Sequence, residues 1–191
     1  MSSGGPLTLE ERGRLAIKEV DAVLSQALPH AATAMAQPIL DARRIALYGV
    51  GREGLMMRAL AMRLFHMGLD AHVVGDMTTP AIAQGDLLVA SAGPGHFSTV
   101  EGLMNEATKA GAKTLILTAE PCGPLPQRAD FTVHLPAQTM ASDQGSQASI
   151  LPMGSLYEAV MFLFVEILVL HMRDVKGVTP DDMRANHTNM E

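Results

Sequence analysis

The chain has 191 residues, 48% hydrophobic and 18% charged, which fits one globular domain with a good core and excludes a disordered chain. A net charge of −6 with no Lys/Arg run argues against nucleic-acid binding, and the lack of Trp with 4% aromatics argues against a base-stacking platform. Cys122 is the single cysteine, which excludes an internal disulfide and a cysteine-built zinc cage and fits a reducing cytoplasm.

The segment from Met1 to Pro6 has neither the charged nor the apolar region of a signal peptide. Thr8 and Glu11 have capping-box spacing, and Ala16, Val20, Val23, Leu24 and Ala27 follow the rhythm of one apolar helix face. A helical leader over 1–44 is expected, with Pro29 and Pro38 breaking the pattern and starting new turns.

Beyond the leader, strand and helix patterns alternate. Strands are expected over 45–49, 71–75, 87–91, 114–118 and 131–135, and helices over 54–67, 98–110 and 155–173. Such alternation with short connections predicts an α/β domain over 45–176, a parallel sheet with helices on both faces. The polar, irregular stretch 136–151 is expected to be a mobile loop over the site, and the tail 177–191 to be frayed or docked on a neighbour.

Two strand ends carry Gly-rich loops. The run Ile45 to Tyr48 stops at Gly49-Val50-Gly51-Arg52-Glu53-Gly54, and the run Leu87 to Ala90 stops at Ser91-Ala92-Gly93-Pro94-Gly95. Bare backbone amides beside a helix start form a ready anion site, so two such loops predict one ligand held by two strand ends. The first loop by itself admits three readings. It is a tight strand-to-helix turn, or a dinucleotide fingerprint with Asp76 as the ribose acid, or a site for another anion.

Ala159 to Leu170 is nearly all apolar, but Glu158, Glu166 and His171 interrupt it before it reaches a membrane-spanning length. A helix apolar on all sides is more often buried, and in a chain this small a subunit interface would cover its second face. A homo-dimer or homo-tetramer is therefore expected, and no membrane association. Phe162 and Val165 are the expected interface residues.

Three stretches carry a family resemblance. Gly49 to Arg52, Ala61 to Gly68 and Val74 to Pro80 resemble the first half of the 6-phospho-3-hexuloisomerases, and Leu151 to Glu158 with His187-Thr188-Asn189 resembles the second half. That family belongs to the sugar isomerase (SIS) fold. The resemblance implies a five-stranded parallel sheet between helices, a sugar phosphate at the strand ends, and frequent tetramers. It also implies interconversion of 3-hexulose 6-phosphate and fructose 6-phosphate, a reaction that one carboxylate or imidazole can carry without a metal or organic cofactor. A sugar-binding sensor that kept the fold without the catalysis is the alternative.

Carbonyl migration needs a proton removed beside the carbonyl, donors for the enediol oxygen, and return of the proton next door. The resemblance places the base at Glu158 and further acid–base groups at His187 and His66. Against this, Ser155 and Glu158 have capping-box spacing, His66 suits a helix C-terminus, and His187 suits a solvated tail. Thr78 and Thr79 follow a strand and are candidate sugar ligands or a plain turn before Pro80. His30, His72, His134 and His171 read as surface or packing residues, Cys122 as an inert thiol, and the fourteen Met residues as gap fillers.

The phosphate loops depart from the family pattern. Glu53 stands where the family has serine, and Ala92, Pro94 and Phe97 stand where it has hydroxyls. The substrate-binding set is accordingly Gly49, Gly51, Arg52, Glu53, Thr78, Thr79, Ser91, Gly93 and Gly95, with His96, Ser98 and Thr99 compensating beside Arg52. Sugar phosphates are expected to bind more weakly than the resemblance alone implies.

Overall fold

The computed structural model describes residues 6–144 and 148–190. Met1 to Gly5 and the centre of the expected mobile loop, 145–147, lie outside the described residues. All five expected strands form: β1 (Ile45–Tyr48), β2 (Ala71–Val73), β3 (Leu87–Ser91), β4 (Lys113–Thr118) and β5 (Phe131–His134). They make one parallel sheet in the order β2-β1-β3-β4-β5.

Strand alternation sorts the core into two layers. Leu47, Val89, Leu115 and Leu117 face α1 (Leu9–Ala31), α3 (Gly51–His66) and α5 (Ser155–Lys176). Ala46, Leu88, Ala90 and Ile116 face α4 (Ser98–Lys109) through Val100 and Met104. Both sheet faces are covered, as parallel sheets require.

The leader differs from expectation at one proline. Thr8 and Glu11 do form the capping box, with Glu11 N donating to Thr8 Oγ1 at 3.2 Å and Thr8 N to Glu11 Oε2 at 2.8 Å. Pro29, however, sits inside α1 and does not end it. A π-helical turn (Ala32–Ala36) follows, and then α2 (Gln37–Asp41) with Pro38 in its first turn. Interior Pro costs about 3 kcal/mol. Burial of Val23, Ala27, Ala31, Met35 and Ile39 against the sheet layer offsets that cost.

The tail also differs. α6 (Pro180–Ala185) carries its own Thr179–Asp182 capping box and packs against α3 of the same chain. Asn186 Nδ2 donates to the carbonyl of His66 at 3.0 Å.

α5 is the one described helix long and apolar enough to cross a membrane, and half of that stretch is buried inside the domain. Val165 is fully buried in the chain's own core, so the expectation of Val165 at an interface is corrected. Phe162, Leu163, Ile167 and Leu170 form the exposed apolar side.

The chain steps outward from β1 to β2 and then returns past β1 to β3. That order makes the C-terminal ends of β1 and β3 the topological switch point, where parallel sheets open a ligand crevice. The first Gly loop turns there with almost no room. A Cβ on Gly54 would lie 2.5 Å from the carbonyl oxygen of Gly49, and a Cβ on Gly49 would lie 2.8 Å from the amide nitrogen of Gly54.

Gly54→Ala is expected to cost about 2 kcal/mol or more, because the backbone must yield to the added methyl. Gly102→Ala, an exposed site with nothing within 4 Å of the added Cβ, should gain about 0.5–1 kcal/mol from helix propensity. Urea denaturation of the two variants checks the contrast.

Candidate active site

The switch point holds a cavity of about 570 Å3. Val50, Gly51, Arg52 and Glu53 form its wall below β1, Pro94 and Phe97 its wall beyond β3, and Met153, Gly154, Tyr157 and Glu158 its wall on α5. Thr139, Met140 and Ala141 cover it from the 136–151 segment. Gly154 makes that approach possible: at φ 71° its added Cβ would lie 2.2 Å from the amide nitrogen of Met140. Glu19 of α1 anchors the segment's far end, accepting from Ser149 Oγ and from Ile150 N.

Arg52, the second residue of α3, reaches across to α5. Its Nη1 donates to Ser155 Oγ at 3.0 Å, its Nη2 to the Met153 carbonyl at 2.7 Å, and its Nε to Glu158 Oε1 at 3.4 Å. Met153 is left-handed at φ 54°, which is uncommon for a non-glycine residue. Glu158 Oε2 lies 3.3 Å from Arg52 Nη2, an ion-pair distance without hydrogen-bond alignment. That oxygen is buried with no hydrogen-bond partner among the described residues. With the Arg52 side chain 48% exposed, the pair is worth only about 0–1 kcal/mol, so its role is placement more than stability.

The capping-box expectation for Ser155 and Glu158 is corrected. Gly154 is the cap residue, no side chain caps the helix, and Ser155 Oγ donates to the Pro152 carbonyl at 2.5 Å. Glu158 is thereby left facing Arg52 and the cavity.

Glu53 turns the other way. Its Oε2 accepts from Ser91 Oγ at 2.5 Å and from Gly93 N at 3.0 Å. Ser91 spends its one hydroxyl proton on Glu53, so the Tyr157 hydroxyl, 3.3 Å away, donates to Ser91. Gly93 is tightly placed, because an added Cβ would lie 3.0 Å from both Glu53 Oε1 and a Tyr157 ring carbon and one of them would have to give way. Burial raises the Glu53 carboxyl above its ordinary value of 4.5, the Ser91 and Gly93 hydrogen bonds oppose that rise, and the charge of Glu158 adds to it. Burial pushes the Tyr157 hydroxyl well above its ordinary value of 10.0, which keeps it a proton donor.

The remaining expected site residues scatter. Gly51 lines the cavity, Gly49, Ser91 and Gly93 are not among its lining residues, and Gly95 at φ 83° packs against Gly123. His96 pairs with Glu101 at 3.2 Å instead of entering the cavity. Ser98 and Thr99 open α4 on its exposed side, outside the cavity wall. Thr78 and Thr79 sit in a separate hollow of about 310 Å3 with Arg58 and His72. The Thr79 hydroxyl donates to the carbonyl of Val73 at 2.6 Å or Asp76 at 2.8 Å, which is the turn reading. Asp76 lies in that hollow, 3.4 Å from Arg58, so the first loop and its dinucleotide acid do not share one cavity.

His66 and His187 do come together, with ring centroids 5.0 Å apart. They stand at the C-terminal end of α3, about 21 Å along that helix from Arg52. Within one chain they do not join Glu158. Tyr157 is the site residue that sequence reasoning missed. Its signal was slight: one of only two tyrosines, placed beside the candidate base.

The SIS domain family model matches residues 38–164. A protein named 3-hexulose-6-phosphate isomerase from Mycobacterium gastri is 39% identical over 163 residues, covering 85% of this chain and 81% of its own. One of the same name from Bacillus subtilis is 34% identical over 157 residues, covering 82% and 85%. The solved structure of a Methanococcus jannaschii protein, whose description infers that same function, superposes with a TM-score of 0.81 at 23% identity, covering 95% and 99%.

The raised Glu53 carboxyl sets a pH test. A folded value above the unfolded one gives stability that is complete below about pH 4.5 and lost as pH rises through the folded value. Glu53→Gln keeps an acceptor for Ser91 and Gly93 but never ionises. Its stability relative to the unsubstituted chain should therefore climb as pH rises from 4.5, read by urea denaturation at several pH values. A difference flat or falling with pH would contradict the assignment.

Proposed function

This chain belongs to the SIS domain family, and we propose that it is a ketose-phosphate isomerase that moves a carbonyl by one carbon through an enediol at the β1–β3 switch point. The observation that carries the reading is Glu158: a carboxylate in a roomy cavity, one oxygen buried without a hydrogen bond, beside an anchored guanidinium. Two relatives named 3-hexulose-6-phosphate isomerase support 3-hexulose 6-phosphate and fructose 6-phosphate as the substrate pair.

Glu158 takes the proton from the carbinol carbon next to the carbonyl. The C–H electron pair becomes the carbon–carbon double bond of the enediolate, and the former carbonyl oxygen takes up the negative charge. Arg52, held beside Glu158 by three donations, faces that charge. The proton moves between the two oxygens, and Glu158 returns its proton to the former carbonyl carbon. Every atom and electron is then accounted for within the sugar and this carboxyl.

The His66–His187 pair reaches such a site only from a second copy of the chain. The exposed apolar side of α5, with Leu55, Met62 and Phe65 of neighbouring α3, supports a homo-oligomer. Binding without turnover is the second reading, and the occupation of the Ser91 and Gly93 donors by Glu53 favours it.

Glu158→Gln should preserve folding and cut turnover of fructose 6-phosphate by about 100-fold or more. A coupled assay beside circular dichroism checks both, and an active parent with an equally active variant removes Glu158 from the mechanism. Phe162→Lys should dissociate the assembly in light scattering, since it would bury an unpaired charge. Val165→Lys should unfold the chain instead, because Val165 lies in its own core.

A further inference from the structure

Glu53 is a buried carboxylate with no cationic partner among the described residues. It is held by donors alone, Ser91 Oγ and Gly93 N, both from the segment that leaves β3 at the switch point. An anionic ligand entering between the two Gly loops would need those same donors. The rest of that wall offers few others: Ala92 has no hydroxyl, Pro94 has no amide proton, and Phe97 is apolar. The other charged groups of the cavity are Arg52, which the proposed mechanism assigns to the enediolate oxygen, and Glu158, which is itself an anion. Tyr157 is spent on Ser91. Glu53 Oε1, in contrast, has no hydrogen-bond partner among the described residues, and Glu53 is one of the residues lining the cavity.

We infer that Glu53 is the specificity-determining residue of this cavity: its carboxylate stands where a ligand anion would bind, and its Oε1 receives a hydroxyl-bearing part of the sugar. Because the ligand is named as a sugar, the inference rests on the isomerase reading. The phosphate of a hexulose phosphate is then excluded from the Ser91–Gly93 donors and gains little from this wall. Two carboxylates and one committed arginine make the cavity a poor host for a dianion. The same surroundings suit hydroxyls, which donate to carboxylate oxygens.

Calorimetric titration of the full chain with fructose and with fructose 6-phosphate tests this, using the parent, Glu53→Gln and Glu53→Ser. The parent should bind the two ligands within about threefold of each other. Glu53→Ser frees the two donors and removes the charge, so it should tighten fructose 6-phosphate by about tenfold or more, equivalent to about 1.4 kcal/mol. Its affinity for fructose should stay level or fall. Glu53→Gln removes the charge at nearly constant shape and should give a smaller gain of the same sign, which decides the matter if the serine variant does not fold. A parent that prefers fructose 6-phosphate by about thirtyfold or more overturns the inference. So does an unchanged phosphate affinity in both variants, or the absence of binding by parent and variants alike. A parent that binds as expected yet never interconverts a ketose leaves this inference standing and removes the isomerase reading.

Discussion

The contact between the backbones of Gly49 and Gly54 sets the geometry of everything at the switch point. With no Cβ on either residue, α3 starts directly against the end of β1. Its second and third residues, Arg52 and Glu53, then project about 100° apart around the helix. Arg52 reaches the start of α5 and Glu53 reaches the loop after β3. Two adjacent side chains thus tie three separate segments around one cavity. A looser turn would move both anchors at once, and the cavity would lose two of its walls.

Electrostatics inside that frame are arranged around a scarcity of cations. Glu158 has Arg52 for company, whereas Glu53 has only hydrogen-bond donors. A buried carboxylate in that position resists ionisation, which is why its carboxyl rises in spite of two favourable hydrogen bonds. Tyr157 completes the chain of donors from α5 through Ser91 to Glu53. The two carboxylates therefore differ in environment although they share a cavity, and differing environments separate acid–base roles. Glu158 keeps one oxygen without a hydrogen bond, which is what the proposed proton transfer requires. Glu53, with one oxygen doubly anchored, is placed to hold.

Elements whose cause is local were legible in the sequence. The five strands announced themselves as short apolar runs, two of them ending in Gly-rich loops, and the Thr8–Glu11 cap by its spacing alone. Pro29 misled because the rule that Pro ends a helix is a local cost, and here burial of Val23, Ala27, Ala31, Met35 and Ile39 on either side of it outweighs that cost. Ser155 misled for a related reason. Capping-box spacing is satisfied, yet Arg52, 103 residues away in sequence, draws on the same serine, and Gly154 adopts the left-handed cap position. His66 and His187 did turn out to be neighbours, but no spacing rule reports which end of a helix a tail returns to. Thr79 illustrates the limit on hydroxyls: a strand-end threonine close to its own carbonyls spends its proton there.

The position of Glu53 turns the departures from the family pattern into one connected change. Taken singly, a serine replaced by Glu53 adds repulsion toward a phosphate, and hydroxyls replaced by Ala92, Pro94 and Phe97 remove donors. Taken together they are self-consistent. A phosphate dianion arriving from solution needs many donors and pays for its lost translational freedom. A carboxylate carried on α3 is already present at high effective concentration and carries a single charge, so two donors hold it. Once it is there, further hydroxyls on the β3 loop would have no anion to serve, and apolar side chains fill that wall at lower desolvation cost. The first loop cannot acquire the acid without the second loop losing its call on an external anion, because both act on the same pair of donors.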